Sequence, residues 1–211
     1  MKRNNITRAE RLQFSLPQNL QDILVGLILG DVNILKQKTS VNVNLQFWQG
    51  VIHKEYIMHL YELFQIYCGA APNTISRAPD LRTGKVYSAI YFRTYALPCL
   101  TPLYELFYPF GKKVLPQNIA ELLTPLGLAY WICDDGSFHK SNRYVTLNTQ
   151  SFTFEEVNLL AKTLNDKWGL QCAVHKNKNG FIVYISTKSL IILQELLKDI
   201  MPSMMMHKIG L

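Results

Sequence analysis

The sequence predicts an α+β fold of two similar halves, each an antiparallel sheet covered on one face by helices, related by a pseudo-twofold axis. Three observations lead there. Helical and strand-like segments follow one another in the same order twice. A stretch with two prolines, a glycine and two lysines, YPFGKKVLPQN (Tyr108 to Asn118), separates the two runs. Each run opens with an apolar helix that ends in aspartate.

The first run begins with a helix from Gln18 to Asp31, with Pro17 at its start, where a missing N–H costs little. In SVNVNLQFW, Val41, Val43, Leu45 and Phe47 alternate with Ser40, Asn42, Asn44 and Gln46, the pattern of a half-buried strand. From His53 to Cys68, apolar residues recur at Ile57, Leu60, Tyr61, Phe64 and Cys68, which suits an amphipathic helix. Strands Ile75 to Ala78 and Val86 to Tyr95 are joined through Pro79-Asp80 and Thr83-Gly84. A helix from Leu100 to Phe107 closes the run.

The second run repeats this order. A helix opens at Thr124-Pro125 and reaches Asp135, and Arg143 to Gln150 reads as a strand. Thr153 and Glu156 form a capping box for a helix from Phe154 to Trp168. Gln171 to Lys176 and Phe181 to Ser186 form a hairpin with Asn179-Gly180 at its tip, and Ser189 to Ile200 is the last helix. Identity between the runs is low, so the repeat is structural. The expected organisation is an N-terminal extension (1–16), a first half (17–107), a linker (108–118) and a second half (119–211).

Composition limits the function. The chain has 211 residues, is 48% hydrophobic and 18% charged, and so has the apolar content to bury a core. With 22 Lys+Arg against 15 Asp+Glu, its formal charge of +7 suggests an anionic partner, most often nucleic acid. Cys68, Cys99, Cys133 and Cys172 are far apart and form no C-x-x-C pair, which argues against a disulfide scaffold or zinc ribbon. The longest apolar run, Ile23 to Gly30, is far short of the roughly 20 residues a bilayer span needs. The opening MKRNNITRAER is basic but lacks the apolar core of a secretory signal. No histidine pair has metal-ligand spacing, and no phosphate-binding G-x-x-x-x-G-K-[ST] occurs.

Two segments carry chemistry: Leu24-Val25-Gly26-Leu27-Ile28-Leu29-Gly30-Asp31 and Leu128-Ala129-Tyr130-Trp131-Ile132-Cys133-Asp134-Asp135-Gly136. Gly26 and Gly30 share one helix face, as do Ala129 and Cys133, and small residues at that spacing let two helix backbones approach closely. Crossing the helices there brings their C-terminal ends together, with Asp31 and Asp135. A carboxylate faces the negative end of the helix dipole at that position, and two carboxylates together repel. A divalent cation resolves both problems, and oxygen-only ligands suit Mg²⁺. Paired acids at a dyad on a basic protein suit metal-assisted phosphodiester hydrolysis of two strands.

These segments, with the shared flanks LNTQSFTFEEV and MMMHK, resemble the paired motifs of the LAGLIDADG homing endonucleases in their single-chain, two-motif form. The resemblance runs from about Leu16 to Lys208. It implies a monomeric pseudo-dimer of αββαββα halves, with the motif helices at the interface and saddle-shaped sheets in the DNA major groove. It implies Mg²⁺, with Mn²⁺ as a substitute, bound by Asp31 and Asp135 at the scissile phosphates. Asp134, about 100° further round the helix, has a lesser role. The first motif ends Asp31-Val32 where the family pattern has glycine, a departure that alters the turn and makes the two sites unequal, with ordered strand nicking. The resemblance also implies catalytic lysines after the last helix of each half, Lys113 (favoured over Lys112 by its position against Pro116-Gln117-Asn118) and Lys208. An organellar setting, mitochondrion or chloroplast, is implied too.

For DNA reading, Asn42, Asn44 and Gln46 project from one strand face, and Thr146, Asn148 and Gln150 do so in the second half. Asn and Gln suit bidentate contacts to adenine. Arg77, Arg82, Lys85, Arg93, His175, Lys176 and Lys178 lie on or near the hairpins, placed for guanine or phosphate. The expected function is a site-specific, Mg²⁺-dependent endonuclease that makes a double-strand break with short 3′ overhangs at a long target and promotes group I intron mobility. The alternative is an RNA maturase assisting group I intron splicing. No membrane partner is expected.

Overall fold

The computed structural model describes residues 6–38, 40–76 and 78–211. The chain divides into two compact units, Met1–Pro17 with Asp31–Glu105, and Gln18–Gly30 with Leu106–Leu211.

The first unit begins with α1 (Arg8–Gln13), held by a capping box between Thr7 and Glu10. After α2 (Gln18–Leu29), which belongs to the second unit, come β1 (Asn33–Lys36), β2 (Val43–Gly50), α3 (Lys54–Phe64), β3 (Asn73–Ser76), β4 (Ser88–Arg93) and α4 (Thr101–Phe107). The strands form an antiparallel sheet in the order β1-β2-β4-β3. Alternation decides its faces. Ile34, Val43, Leu45, Phe47, Ile90 and Phe92 are buried on one side, and α3 adds Tyr56, Ile57, Leu60 and Phe64. Phe47 stacks on Phe92 with ring centroids 4.4 Å apart and meets Phe64 at 5.2 Å. Each such side chain contributes about 1.5–3 kcal/mol by leaving water. Thr94 ends the pairing of β4: its hydroxyl accepts from Leu45 N at 3.0 Å and donates to Tyr95 O at 2.9 Å.

The second unit holds α2, then α5 (Ile119–Leu122), α6 (Pro125–Asp135), β5 (Gly136–His139), β6 (Tyr144–Leu147), α7 (Phe154–Trp168), β7 (Cys172–Asn177), β8 (Gly180–Ile185) and α8 (Leu190–Leu197). Its sheet runs β5-β6-β8-β7, the same topology as the first. Val145, Leu147, Val183 and Ile185 are buried against helices, where α7 contributes Val157, Leu160, Ala161 and Leu164. The capping box predicted at Thr153 and Glu156 is present, and α7 spans the predicted residues. Glu156 also accepts from Leu115 N at 2.7 Å, which ties the linker to the start of α7. Gly169 ends α7 in the left-handed region at φ 65°, where a side chain would be strained.

Four differences from the sequence reading have local causes. Strands β1 and β5 went unmarked, because four residues are too few for alternation to show; in β1 only Ile34 is buried. Val41 was expected on the buried face but is 80% exposed, since Ser40 Oγ donates to Asn42 O at 2.7 Å in a turn and β2 starts only at Val43. Helix α2 ends at Leu29, and Asp31 lies in the turn that follows. The β7–β8 turn is Lys178-Asn179, with Gly180 already the first residue of β8.

Candidate catalytic centre and nucleic-acid interface

Helices α2 and α6 pack against each other inside the second unit. Both are buried nearly all round, from Ile23 to Leu29 and from Gly127 to Cys133. The approach is closest at Gly26, where a Cβ would lie 1.9 Å from the Gly127 carbonyl oxygen and 3.0 Å from the Trp131 nitrogen. A Cβ on Gly127 would in turn meet Asp22 O at 2.9 Å. The glycine spacing in the first motif therefore serves backbone-to-backbone packing. On α6 the matching residue is Gly127, which sequence reasoning missed. Ala129 and Cys133, expected at this contact, are buried but lie about 200° and 240° round the helix from Gly127.

The helix ends meet one turn further on. A Cβ on Gly30 would lie 2.6 Å from Asp134 Cβ and 2.7 Å from its carboxylate oxygen. Asp134 is thus the residue that packs beside Gly30. Asp31 and Asp135 directly follow Gly30 and Asp134 in the sequence. Asp31 is exposed and Asp135 half-buried, so solvent reaches both carboxylates.

Lysine side chains reach the carbonyls at the end of α2 and just past the end of α6. Lys113 Nζ donates to Leu29 O at 3.1 Å and Gly30 O at 3.2 Å, and sits 5.1 Å above the Phe152 ring. Lys208 Nζ donates to Gly136 O at 2.8 Å, just past the end of α6. A cation there offsets the negative end of the helix dipole. Asn148 adds to the same end: its backbone N and its Nδ2 both donate to Asp135 O, at 3.1 and 3.0 Å. Gln150 Nε2 donates to Asn148 Oδ1 at 3.3 Å. Asn148 and Gln150, expected to face DNA bases, therefore form a chain leading to Asp135. These contacts predict that Lys113→Ala and Lys208→Ala each lower stability by about 0.5–1 kcal/mol, the usual worth of a cation at a helix C-terminus. Thermal melting checks this, and unchanged midpoints in both variants would show that the caps carry no stability.

The donors at the helix ends are carboxylates and carbonyls, a hard, all-oxygen set. Among the described residues no group of three or more His, Cys, Asp and Glu converges into a closed metal site. That chemistry fits Mg²⁺, which is commonly held by one or two carboxylates while phosphate oxygens and water complete its shell.

The sheet faces away from the helices hold the other expected residues. In the first unit, register puts Asn44, Gln46 and Trp48 of β2 on the same face as Arg93 and Tyr91 of β4. Gln46 is opposite Arg93, and Trp48 stacks on Tyr91 with centroids 4.5 Å apart. Asn33 and Asn73 share this face, and neither was picked from sequence. Asn44 is only 6% exposed, covered by its neighbours, and Asn42 precedes the strand. Arg82 and Lys85 are exposed in the β3–β4 loop, where Asp80 Oδ1 accepts from Arg82 N and Thr83 N. The bonds from Thr83 N and the Thr83 hydroxyl, and to a lesser extent that from Arg82 N, hold the Asp80 carboxyl below its ordinary pKa. Arg77 lies outside the described residues.

In the second unit a row of rings crosses all four strands. His139 stacks on Tyr144 at 4.2 Å, Tyr144 meets Tyr184 at 4.8 Å, and Tyr184 stacks on His175 at 4.7 Å. His139 Nε2 shares a 3.1 Å hydrogen bond with the Thr146 hydroxyl, which is buried beneath the row. Sequence reasoning marked His175 and Thr146 but missed His139, Tyr144 and Tyr184. The alternation of Tyr144 with Val145 and of Tyr184 with Val183 and Ile185 was the available signal. Lys176 is exposed but shares its strand face with Val174, opposite to His175, because successive strand residues alternate. Lys178 is exposed at the hairpin tip.

All four cysteines are free. Burial pushes the Cys68 and Cys172 thiols up to about 12, so neither is a thiolate at neutral pH. No described helix is long and apolar enough to cross a membrane.

Comparison with known proteins agrees with this geometry. The model of a family described as the LAGLIDADG DNA endonuclease family matches residues 21–193. The cytochrome b mRNA maturase bI2 of Debaryomyces hansenii is 30% identical over 216 residues, covering 97% of this chain and 79% of that protein. The probable intron-encoded endonuclease 1 of Wickerhamomyces canadensis is 34% identical over 175 residues, 80% of this chain and 74% of its own length. Among solved structures, the homing endonuclease I-WcaI bound to its DNA recognition sequence matches with a TM-score of 0.90 at 28% identity, over 99% of this chain and 94% of that one. Two motif helices joined glycine to glycine, a repeated four-stranded sheet and a family match across most of the chain have one reading: this chain belongs to the LAGLIDADG DNA endonuclease family.

Proposed function

We propose that this chain is a monomeric, site-specific homing endonuclease that cuts both strands of a long DNA target, leaves short 3′ overhangs and promotes the mobility of a group I intron. The observation that carries the reading is the contact of Gly30 with Asp134 at the paired helix ends, with Asp31 and Asp135 the residues directly after them. A first half (17–107) and a second half (119–211), joined by the linker 108–118 and preceded by the extension 1–16, would each engage one part of the target. An organellar setting fits a relative named for the cytochrome b messenger.

Asp31 and Asp135 would hold Mg²⁺, or Mn²⁺ in its place. When bound, such an ion offsets charge on the phosphate oxygens and makes water a better nucleophile near neutral pH. The remaining work falls to the chain's own residues. Asn148 and Lys208 steady the end of α6, and Lys113 steadies the end of α2, so both carboxylates leave capped helices. The ammonium groups of Lys113 and Lys208 also place positive charge where phosphate charge develops. Arg93, Gln46 and the ring row hold the duplex by its backbone and base edges.

The test is cleavage of a genomic DNA library by the purified chain, with Mg²⁺ and with EDTA, followed by sequencing of the ends. Staggered cuts at one long site, present with Mg²⁺ and absent with EDTA, are expected. The second reading, an RNA maturase assisting group I intron splicing, is favoured by the maturase relative that spans 97% of the chain. Folded protein that makes no cuts but binds a structured intron RNA and accelerates its splicing would replace the first reading with the second.

A further inference from the structure

The first unit contains a groove that begins on the exposed sheet face and extends beyond it to α1. One cleft of about 680 Å³ is lined by Arg11, Asn44, Asn73 and Arg93. A second, of about 730 Å³, is lined by Arg8, Arg11 and Asn42. Arg11 and Gln37 line both, so the two clefts adjoin. The groove runs from the exposed sheet face, at Tyr91 and Arg93, to the side of α1.

Among the described residues no aspartate or glutamate lines either cleft, while three arginines and several carboxamides do. The one acid on α1, Glu10, is turned away into the capping box, accepting from Thr7 N and Thr7 Oγ1.

Helix α1 itself points the same way. It has six residues and none is buried, so core packing does not explain it. It is held by its capping box and by Arg11 Nη1, which donates to Ala96 O at 3.4 Å. Arg8 and Arg11, three residues apart, stand on one side of the helix with Cβ atoms about 5–6 Å from each other.

We propose that this groove is a second DNA-contact surface, in which Arg8 and Arg11 hold the phosphate backbone of the duplex beyond the stretch covered by the first sheet. The occupant is a polyanionic backbone, because the lining is cationic and amide-rich, is free of acids, and opens onto the sheet face that carries Arg93. The proposal rests on the DNA-binding reading above. It adds a contact made by α1, outside the repeated half.

The test is the salt dependence of binding to a 40-base-pair duplex of mixed sequence, measured by fluorescence anisotropy between 50 and 200 mM KCl. Each phosphate contact contributes about 0.9 to the slope of log affinity against log salt. Arg8→Gln with Arg11→Gln makes the slope shallower by about 1.8, which reduces the drop across that fourfold salt range about twelvefold. Arg8→Gln alone leaves the Arg11 tether in place and makes the slope shallower by about 0.9. Lys162→Gln with Lys198→Gln removes two charges from the other unit, one on α7 and one just after α8, and leaves the slope unchanged. An unchanged slope in both arginine variants would overturn the proposal. So would an equal change in the lysine control, or a change seen only with a folded intron RNA. If the parent chain itself did not bind the duplex, the DNA reading would fall as well; a failure confined to the arginine variants bears on the groove alone.

Discussion

Asp31→Asn and Asp135→Asn are each expected to abolish double-strand cleavage while binding to the duplex stays within a few-fold of the parent. Asparagine keeps the shape of the side chain and removes the charge that would hold a divalent cation. The loss in rate should reach about 10³-fold or more, the upper range for removing one preorganised electrostatic contact. Stability should not fall with it. Asp31 is exposed and Asp135 half-buried; Asp31 lies just past α2 and Asp135 is the last residue of α6, where the C-terminal dipole disfavours a negative charge. Each amide variant should therefore melt at the parent temperature or slightly above it, by a few tenths of a kcal/mol. Activity and stability then move in opposite directions, as expected for residues kept for chemistry. Cleavage of supercoiled plasmid separates the outcomes: nicked circles mean that one strand is still cut, and linear product at the parent rate in either variant would remove that aspartate from the catalytic centre.

Gly26→Ala is expected to have the largest effect on folding. In an isolated helix the change would help, since alanine is favoured over glycine by about 0.8–1.0 kcal/mol. Here the added Cβ would sit 1.9 Å from the Gly127 oxygen, 2.8 Å from its carbonyl carbon and 3.0 Å from the Trp131 nitrogen. All three are backbone atoms, so no rotamer change relieves the clash, and the helices must move apart along their whole buried length. Overpacking of this kind costs about 1–3 kcal/mol where side chains can shift, and the high end or beyond is expected where they cannot. For a chain of this length, 3 kcal/mol corresponds to a melting shift of roughly 6–12 °C. Gly50→Ala is the control: its Cβ would make an ordinary 3.6 Å contact with Ile52 Cγ2, and its melting point should hardly move. A Gly26→Ala variant as stable as the parent would mean that the two helices are not in backbone contact.

The structure also gives the lysines a clearer part. The resemblance placed Lys113 and Lys208 near the scissile phosphates. The hydrogen bonds to Leu29 O, Gly30 O and Gly136 O show that Lys113 also caps the end of α2 and that Lys208 also holds the first residue after α6. Removing either ammonium group should therefore affect melting as well as cleavage.

What the sequence determined by itself was local. The Thr153–Glu156 capping box set the start of α7, because a cap and its partner lie within one helical turn. The alternation of Val43, Leu45 and Phe47 identified the buried face of β2, and the two motif aspartates were readable from short strings of residues. The tertiary structure alone decided the contacts between distant segments. It chose Gly127 rather than Ala129 or Cys133 as the partner of Gly26, because helix packing depends on which faces meet as well as on the spacing of small residues. It brought Lys113 to carbonyls 84 and 83 residues away and Lys208 to one 72 residues away. It grouped α2 with the second half of the chain, and it laid His139, Tyr144, Tyr184 and His175 side by side from four different strands. Periodicity and capping act over a few residues of one segment. Helix pairing, long-range caps and cross-strand rows are settled when separate segments bury surface against one another, and no single stretch of sequence carries that information.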